Sequence, residues 1–200
     1  TLSGTDVASF ELANKRLNLK DSVSADFETK SSYSITITAP DDAGHEATLT
    51  YSLQVTDVNE TPTAIALSAT AIDENAAGAI VGTLSTTDVD VGDSHTYELS
   101  GTDASLFEVV NGQLKLKGSA DYETKNTYSV TVTVTDAALA VFAQSFTVTV
   151  NNTNDAPTLA NALVNQSVDE DSAFSFAIPS NTFNDVDGDA LTYTATLSDG

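Results

Sequence analysis

The sequence predicts an all-β fold of tandem Greek-key β-sandwiches of the immunoglobulin-like type, with about seven strands in each sandwich. Three observations predict this fold. Runs of Val, Ile, Leu and Tyr alternate with Thr and Ser, turn residues separate these runs, and the whole pattern repeats along the chain. Alternation with a period of two places one face of a strand on a core and the other face in water. No stretch of the sequence has the periodicity of a helix.

The repeat has a spacing close to 95 residues. Asp26–Lys30 (DFETK) returns 95 positions later as Asp121–Lys125 (DYETK). Asp57–Pro62 returns with the same offset as Asn152–Pro157. Repetition at a fixed period indicates an array of similar domains. A third pair of segments has an offset of 97 residues: Leu2–Asp6 and Leu99–Asp103.

These repeats predict three domains or parts of domains. Residues 1–60 are expected to be the C-terminal part of a first repeat, residues 61–156 a complete repeat, and residues 157–200 the N-terminal part of a third. Pro62 and Pro157 support the boundaries, because proline cannot continue a strand ladder. The chain is therefore expected to be a window from a longer protein.

The strands follow in order from the alternating runs. In the first part the long runs are Tyr33–Thr38 and Leu49–Thr56, and the complete repeat copies them as Tyr128–Val134 and Phe146–Val150. Asn111-Gly112 is typical of a tight hairpin turn. Shorter strands are predicted at Leu17–Lys20, Ile65–Leu67, Ile80–Leu84, Tyr97–Leu99 and Leu114–Lys117. The aromatic residues interpreted as core packing are Phe107, Tyr122, Tyr128 and Phe146.

Composition excludes several classes of function. The net charge of −22, from 29 acidic and 7 basic residues, repels nucleic acid and anionic membranes. An apolar content of 40%, together with the alternating strands, argues against a disordered acidic chain. The chain has no cysteine and hence no disulfide. No run of about 18 apolar residues is present, so no membrane span is expected in this window.

Carboxylates recur where the predicted strands meet loops. Asp73-Glu74-Asn75, Asp88-Val89-Asp90 and Asp121-Tyr122-Glu123 are examples, and Asp136 follows the end of an alternating strand. Gathered carboxylates repel one another unless a cation joins them. Ca²⁺ suits such groups, because it accepts six to eight oxygens in flexible geometry. With no cysteine and only two histidines, His45 and His95, zinc and copper would have few ligands.

These motifs, in this order, resemble those of tandem cadherin repeats, which occur in bacterial surface proteins and in animal adhesion receptors. Glu74-Asn75 is similar to the early Glu motif of the family, and Asp88–Asp90 to its Asp-x-Asp motif. Asp121–Glu123 resembles the Asp-Arg-Glu motif, with an aromatic residue in place of Arg. Asn154–Pro157 resembles the linker Asp-x-Asn-Asp-x-x-Pro. Residues 159–200 match less closely and resemble the dystroglycan-type cadherin-like variant.

The resemblance implies that Ca²⁺ is held between successive repeats. Glu60 is longer than the Asp that the family has in the linker, which predicts looser coordination there. At the first junction the implied side-chain ligands are Asp26, Glu28, Asn59, Glu60, Asp88, Asp90 and Asp136, with the main-chain carbonyls of Val58 and Thr61. At the second junction they are Glu74, Asp121, Glu123, Asn154, Asp155, Asp185 and Asp187.

Three other features are interpreted as carrying no additional site. Asp185–Asp189 is similar to part of an EF-hand loop, but its Gly comes early and no Glu follows at the required spacing. His45 and His95 lie in acidic loops and are expected to be solvated. Asp103 is expected to be a loop acid of no particular role, suitable as a control for lost charge.

The function that these inferences predict is a calcium-binding extracellular adhesion or spacer segment. Ca²⁺ would rigidify a rod at a cell surface. The expected partners are other copies of the same repeats, in homophilic adhesion, or a cell-surface or glycan receptor. The alternative is a set of accessory repeats in a secreted enzyme or glycan-binding protein. No catalytic nucleophile or base is found, so the segment itself is not expected to be an enzyme. Secretion and an anchor outside the window are expected.

Overall fold

The computed structural model describes residues 1–196, which are built almost entirely of β-strands. In the first part of the chain the strands are β1 (Leu2–Ser3), β2 (Phe10–Ala13), β3 (Arg16–Leu19), β4 (Ser32–Pro40) and β5 (Glu46–Gln54). In the middle they are β6 (Ala64–Leu67), β7 (Ala71–Asp73), β8 (Ile80–Thr87), β9 (Thr96–Ser100), β10 (Phe107–Val110), β11 (Gln113–Leu116), β12 (Thr127–Thr135) and β13 (Val141–Asn151). The last two are β14 (Thr158–Leu159) and β15 (Phe183–Asn184). Two single-turn 3₁₀ helices, Val7–Ser9 and Ala104–Leu106, precede β2 and β10.

The middle strands form two four-stranded sheets, in the orders β10-β11-β8-β6 and β7-β13-β12-β9. This arrangement confirms the predicted all-β sandwich. One pairing was not expected: β7 runs parallel to β13, with Ala71 opposite Thr149. The chain leaves β6 in one sheet and enters β7 in the other after only a few residues. The predicted strand Ile65–Leu67 thus lies in β6, and β7 is a further strand that the sequence analysis did not predict.

Apolar residues of the middle strands form one core. Leu114, Val130 and Val148 are completely buried in it. Phe107 meets Tyr128 edge to face, with ring centroids 5.7 Å apart. Such a contact contributes about 0.5–1.5 kcal/mol beyond the burial of the rings. Tyr122 and Phe146 pack against the same cluster, so the prediction that these four aromatic residues pack in the core is confirmed.

The first part of the chain repeats this design. Strands β1, β4 and β5 form a sheet, and β2 pairs with β3 in a hairpin. Phe10 and Tyr33 make an edge-to-face contact at 5.6 Å, in the positions that Phe107 and Tyr128 occupy in the middle repeat. In the last part, β14 and β15 form a two-stranded sheet.

The strands form two compact units. The first consists of Thr1–Ala64, Thr86–Thr96 and Val134–Phe142, and the second of Ile65–Ser85, Tyr97–Thr133 and Ala143–Gly200. The repeat boundaries inferred from the sequence remain a prediction. Over residues 1–196, no helix has the length and apolarity needed to cross a membrane.

Candidate metal centres

Four carboxylates of the first unit lie together. Glu28, Asp57, Glu60 and Asp90 each contribute one oxygen to a group in which all these oxygens are within 4.8 Å of one another. We call this group the first acidic cluster. Glu28 lies in the turn between β3 and β4, Asp57 and Glu60 follow β5, and Asp90 follows β8. Loops after three separate strands therefore converge on one point.

Backbone hydrogen bonds fix the cluster from two directions. The amide of Glu60 donates to Oδ2 of Asp90 at 2.9 Å, which ties the segment after β5 to the loop after β8. Asp26 begins the turn that carries Glu28, because its carboxylate accepts hydrogen bonds from both the amide and the hydroxyl of Thr29 at 3.0 Å. Lys30 closes the same turn by donating its amide to the carbonyl of Asp26.

The electrostatics of the first acidic cluster favour a bound cation. Desolvation, and then the charges of Glu28 and Asp90, raise the pKa of Glu60. The pKa of Glu28 is also raised: a hydrogen bond to its own backbone lowers it, but desolvation and the negative charges around it, led by Asp57, outweigh that bond. Like charges that are close together oppose ionisation in this way.

Within the described residues, one carboxylate oxygen of the cluster is buried and lacks a hydrogen-bond partner. Oδ1 of Asp90 is buried and accepts no hydrogen bond in the described part of the chain. A buried, unpaired carboxylate oxygen is costly unless a donor or cation satisfies it. All four groups offer oxygen, the ligand type that Ca²⁺ prefers. The residues present therefore fit a calcium ion.

Other predicted ligands of the first junction lie beside this cluster. Asn59 donates its side-chain amide to Oδ2 of Asp136 at 2.9 Å and to the carbonyl of Glu60 at 2.7 Å. Asp136 is 4% exposed, and its Oδ1 also accepts from the amide of Ala140 at 2.7 Å. The structure thus links Asn59 to Asp136, and their role as ligands stays a prediction. The parts assigned to the carbonyls of Val58 and Thr61 stay predictions.

Asp88 belongs to a second group in the first unit, with Asp93 and His95. Nε2 of His95 lies 3.1 Å from Oδ2 of Asp88, and the side chain of His95 is only 17% exposed. The hydrogen bond with His95 is the main reason that the pKa of Asp88 is lowered. The prediction that His95 is solvated is therefore wrong, because this bond draws the ring inward. His45, by contrast, has a side chain that is 83% exposed, although it pairs with Asp41.

The second unit contains a corresponding cluster. Oxygens of Glu74, Glu123 and Asp155 lie within 4.8 Å of one another, and we call these residues the second acidic cluster. Glu74 is 3% exposed, since its carboxylate accepts from the amides of Tyr122 and Thr153, both at 2.7 Å. Desolvation is the main cause of a raised pKa at Glu123, and the charge of Glu74 adds to it.

The second cluster repeats the connections of the first. The amide of Asp155 donates to Oδ2 of Asp187 at 2.6 Å, as that of Glu60 does to Asp90. Asp187 in turn donates its amide to Oδ1 of Asp185 at 3.1 Å. The weaker sequence match after residue 159 therefore does not alter this local arrangement.

Asp121 and Asn154 lie near the second cluster and make hydrogen bonds to residues close to them in sequence. Both oxygens of Asp121 accept from Thr124, at 2.8 and 2.9 Å. Asn154 donates its side-chain amide to the carbonyl of Asp155. Each can still offer an oxygen to a cation, since a carboxylate has about four lone-pair sites and an amide oxygen has two.

Three residues of these acidic groups were not predicted from the sequence. Asp57 is one of them; its acidic position at the start of the repeated segment Asp57–Pro62 was the available signal. Its counterpart in the second repeat is Asn152, which donates to Oε1 of Glu123 at 3.1 Å. Asp93 and His95 had no comparable signal, because only the fold of the loop after β8 brings them to Asp88.

Comparison with known proteins shows which families parts of the chain resemble. Residues 68–152 match the model of the cadherin domain. This part of the chain is similar to a cadherin repeat. Residues 156–200 match a different model, described as a putative Ig domain. A human protein, cadherin-related family member 2, is 32% identical over 80 residues, which are 39% of this chain and 6% of that protein.

Solved structures of cadherins are similar over more than the matched repeat. The extracellular domain of protocadherin gammaB4 superposes with a TM-score of 0.64 and 26% identity, over 80% of this chain and 28% of that one. A protocadherin gammaB7 structure covering EC3-6, described as a cis-dimer, gives 0.61 and 25%, over 78% and 41%. Human protocadherin-24 EC1-2 shares the fold alone, with a TM-score of 0.62 at 20% identity, over 76% and 81%. The β-sandwich fold of this chain is thus shared with the extracellular domains of cadherins.

Proposed function

We propose that this chain is a calcium-binding segment of an extracellular adhesion protein, in which Ca²⁺ is held at two linkers between successive repeats. The repeats are proposed to follow the boundaries 1–60, 61–156 and 157–200. The chain spans only 6% of its curated human relative, so the activity and partners of the whole protein are part of the proposal.

One observation carries the calcium assignment: Oδ1 of Asp90 is buried without a partner in the midst of three further carboxylates. In the first unit the proposed ligands are Glu28, Asp57, Glu60 and Asp90, with Asp26, Asn59, Asp88 and Asp136 beside them. In the second unit they are Glu74, Glu123 and Asp155, with Asp121, Asn154, Asp185 and Asp187 beside them. Bound Ca²⁺ supplies positive charge that offsets the repulsion among these groups.

The proposed role in the whole protein is mechanical. The segments that carry Glu60 and Asp155 are short, so an ion bound there would restrict the movement of one repeat against the next. A stiffened array can present a distant adhesive tip. The repeats themselves are proposed to be non-catalytic. The proposed partner is another copy of the same repeats, supported by relatives such as protocadherin gammaB7 that are described as dimers.

Thermal unfolding tests the calcium assignment. The protein should be melted in chelator, in millimolar CaCl₂ and in the same concentration of MgCl₂. Ca²⁺ should raise the midpoint, because binding to the native state alone stabilises it by about 2.7 kcal/mol when free ion exceeds Kd a hundredfold. Mg²⁺ should do less, since it prefers strict octahedral geometry and keeps its water. Equal midpoints with Ca²⁺ and with chelator would contradict the proposal.

A further inference from the structure

An ion pair between an exposed lysine and a buried aspartate lies outside both acidic clusters, in the second unit. Nζ of Lys125 is 2.5 Å from Oδ1 of Asp103, which is 6% exposed. Oδ2 of Asp103 accepts from the amide of Ser129 at 2.8 Å, and the amide of Asp103 donates to the carbonyl of Ser129 at 3.2 Å. The same Nζ lies 5.0 Å from the centroid of the Tyr128 ring. We call the pair of Asp103 and Lys125 the brace. The expectation that Asp103 is a loop acid without a role is therefore wrong.

An equivalent ion pair, between Asp6 and Lys30, occurs in the first unit. Nζ of Lys30 is 2.8 Å from Oδ1 of Asp6, and Oδ2 of Asp6 accepts from the amide of Ser34 at 2.7 Å. Lys30 also lies over a ring, that of Tyr33, at 5.3 Å. The amide of Asp6 also donates to the carbonyl of Ser34 at 3.3 Å. The same four contacts are thus built twice from separate parts of the sequence.

The brace holds one end of a turn that carries a carboxylate of the second acidic cluster. The amide of Lys125 donates to the carbonyl of Asp121 at 2.9 Å and closes the turn. Within that turn Thr124 binds the carboxylate of Asp121. Glu123 projects from the turn toward Glu74 and Asp155. Fixing the side chain of Lys125 therefore restrains the backbone that presents Glu123.

The conformation of the loop that carries Asp103 allows this residue to reach the backbone of Ser129. Gly101 has a φ of +101°, a conformation that residues with a side chain rarely adopt. An added Cβ would also meet the amide nitrogen of Thr131 at 3.4 Å. The close approach of this loop to β12 is what allows Asp103 to bond both backbone groups of Ser129.

We propose that Lys125 and Asp103 are positioning residues for the second acidic cluster, and that Lys30 and Asp6 position Glu28 in the first. They touch no ion themselves. They hold the Asp-x-Glu-Thr-Lys turn so that its Glu meets the other carboxylates before a cation arrives. This inference rests on the proposed function, because it assumes that the clusters bind Ca²⁺. Residues that orient ligands without binding the ion typically contribute tenfold to a hundredfold in metal affinity.

The direction in which the calcium affinity changes distinguishes a positioning role of Lys125 from a purely electrostatic one. Replacement of Lys125 by Met removes a positive charge near an acidic site, so long-range electrostatics alone would strengthen the binding of Ca²⁺. Loss of positioning would weaken it. Lys115→Met is the control, because Lys115 is also in the second unit but lies on β11 and outside the Asp121–Lys125 turn.

Calcium titration of the 200-residue protein, followed by the amide signals of single residues in nuclear magnetic resonance spectra, tests the inference. Signals of Glu123 and Asp155 report on the second cluster, and those of Glu28 and Glu60 on the first. Lys125→Met should weaken binding at the second cluster about tenfold or more and leave the first unchanged. Lys30→Met should do the reverse, and Lys115→Met should weaken neither.

In chelator, amide hydrogen exchange of Thr124 should become faster in Lys125→Met, which reports on the turn without any metal. Unchanged or tighter binding in both Lys125→Met and Lys30→Met would overturn the inference. So would unfolding of both variants in chelator, since the pairs would then hold the sandwich rather than the site. Absence of calcium binding by the wild-type protein would instead overturn the proposed function, so the two failures are distinguishable.

Discussion

At the scale of single residues, the acidic side chains of this protein fall into two physical groups. Asp26, Asp103 and Asp121 have both oxygens occupied by donors from the protein. Glu28 and Glu60 instead face other carboxylates, and the pKa of each is raised. The acids of the first kind stabilise turns and loops at neutral pH without a cation. The proposed calcium binding concerns those of the second kind.

Replacement of Asp90 by Asn should lower the affinity of the first cluster for Ca²⁺ by about tenfold or more, equivalent to at least about 1.4 kcal/mol. The change removes the charge of the only carboxylate in this cluster, within the described residues, that has a buried and unpaired oxygen. Stability in chelator should stay constant or rise, because one repelling charge is lost. Isothermal titration calorimetry and thermal melts measure the two effects.

Asp21→Ala is the matched control for Asp90→Asn. Asp21 is exposed, lies in the first unit and belongs to neither cluster. Asp103 is unsuitable for this purpose, because its replacement would break the ion pair with Lys125. Equal calcium affinities of Asp90→Asn and Asp21→Ala would show that Asp90 is not a ligand.

The raised pKa of Glu60 predicts how stability depends on pH in chelator. The folded state binds the proton of Glu60 more tightly than the unfolded state, whose pKa is near 4.5. The protonated form therefore favours folding, and this contribution is lost as the pH rises above 4.5 through the folded pKa. Stability measured by urea unfolding should accordingly fall over this range, and less steeply in Glu60→Gln.

Glu11→Gln provides the comparison, because Glu11 is an exposed residue of β2 outside the clusters. In saturating CaCl₂ the direction should reverse, since Ca²⁺ binds the ionised carboxylates. A fall of the same steepness in wild type and in Glu60→Gln would show that Glu60 does not cause the pH dependence.

At the scale of elements, the crossing from β6 to β7 imposes a tight contact on β8. The amide of Ser68 donates to the carbonyl of Thr83 at 3.0 Å, and Oγ of Ser68 accepts from the amide of Thr83 at 2.9 Å. The backbone of Ala69 consequently lies directly over Gly82. A Cβ at position 82 would be 2.8 Å from the nitrogen and 3.0 Å from the oxygen of Ala69.

Gly82→Ala should therefore destabilise the protein by about 1–3 kcal/mol, because the backbone must move to admit the methyl group. Urea unfolding in chelator measures the change. Gly118→Ala is the control, since a Cβ there would meet no atom within 4 Å. If Gly82→Ala were as stable as Gly118→Ala, the crossing would have to be looser than its hydrogen bonds indicate.

At the scale of the whole molecule, the proposed stiffening by Ca²⁺ predicts a change in solution scattering. The maximum dimension should be longer, and the distribution of distances narrower, in CaCl₂ than in chelator. The physical reason is that carboxylates on each side of a linker repel one another without the ion and share it when it is bound. An unchanged profile would mean that protein contacts alone set the stiffness of the array. Asp90→Asn should reduce the calcium effect, whereas Asp21→Ala should preserve it.

The sequence by itself determined the fold class, most strands of the middle part of the chain and the resemblance to cadherin repeats. Alternation of apolar and polar residues is a local property, so Tyr128–Val134 and Phe146–Val150 could be assigned as strands without knowledge of their neighbours. Both lie in the long strands β12 and β13. The Asn111-Gly112 turn is local in the same sense, and Val110 pairs with Gln113 across it as a two-residue loop requires. The acidic motifs were visible because they recur at a fixed spacing.

Only the tertiary structure decided which acids meet and what else they touch. Asp57 joins Glu28 and Asp90, and His95 turns toward Asp88, through loops that are distant in sequence. The pairing of Asp103 with Lys125 and the closeness of Ala69 to Gly82 likewise depend on how the strands are arranged in the two sheets. Such contacts join residues separated by many positions, and periodicity carries information only about neighbours along one strand. For this reason the sequence predicted which kinds of residue form the candidate site, and the fold determined which of them lie together.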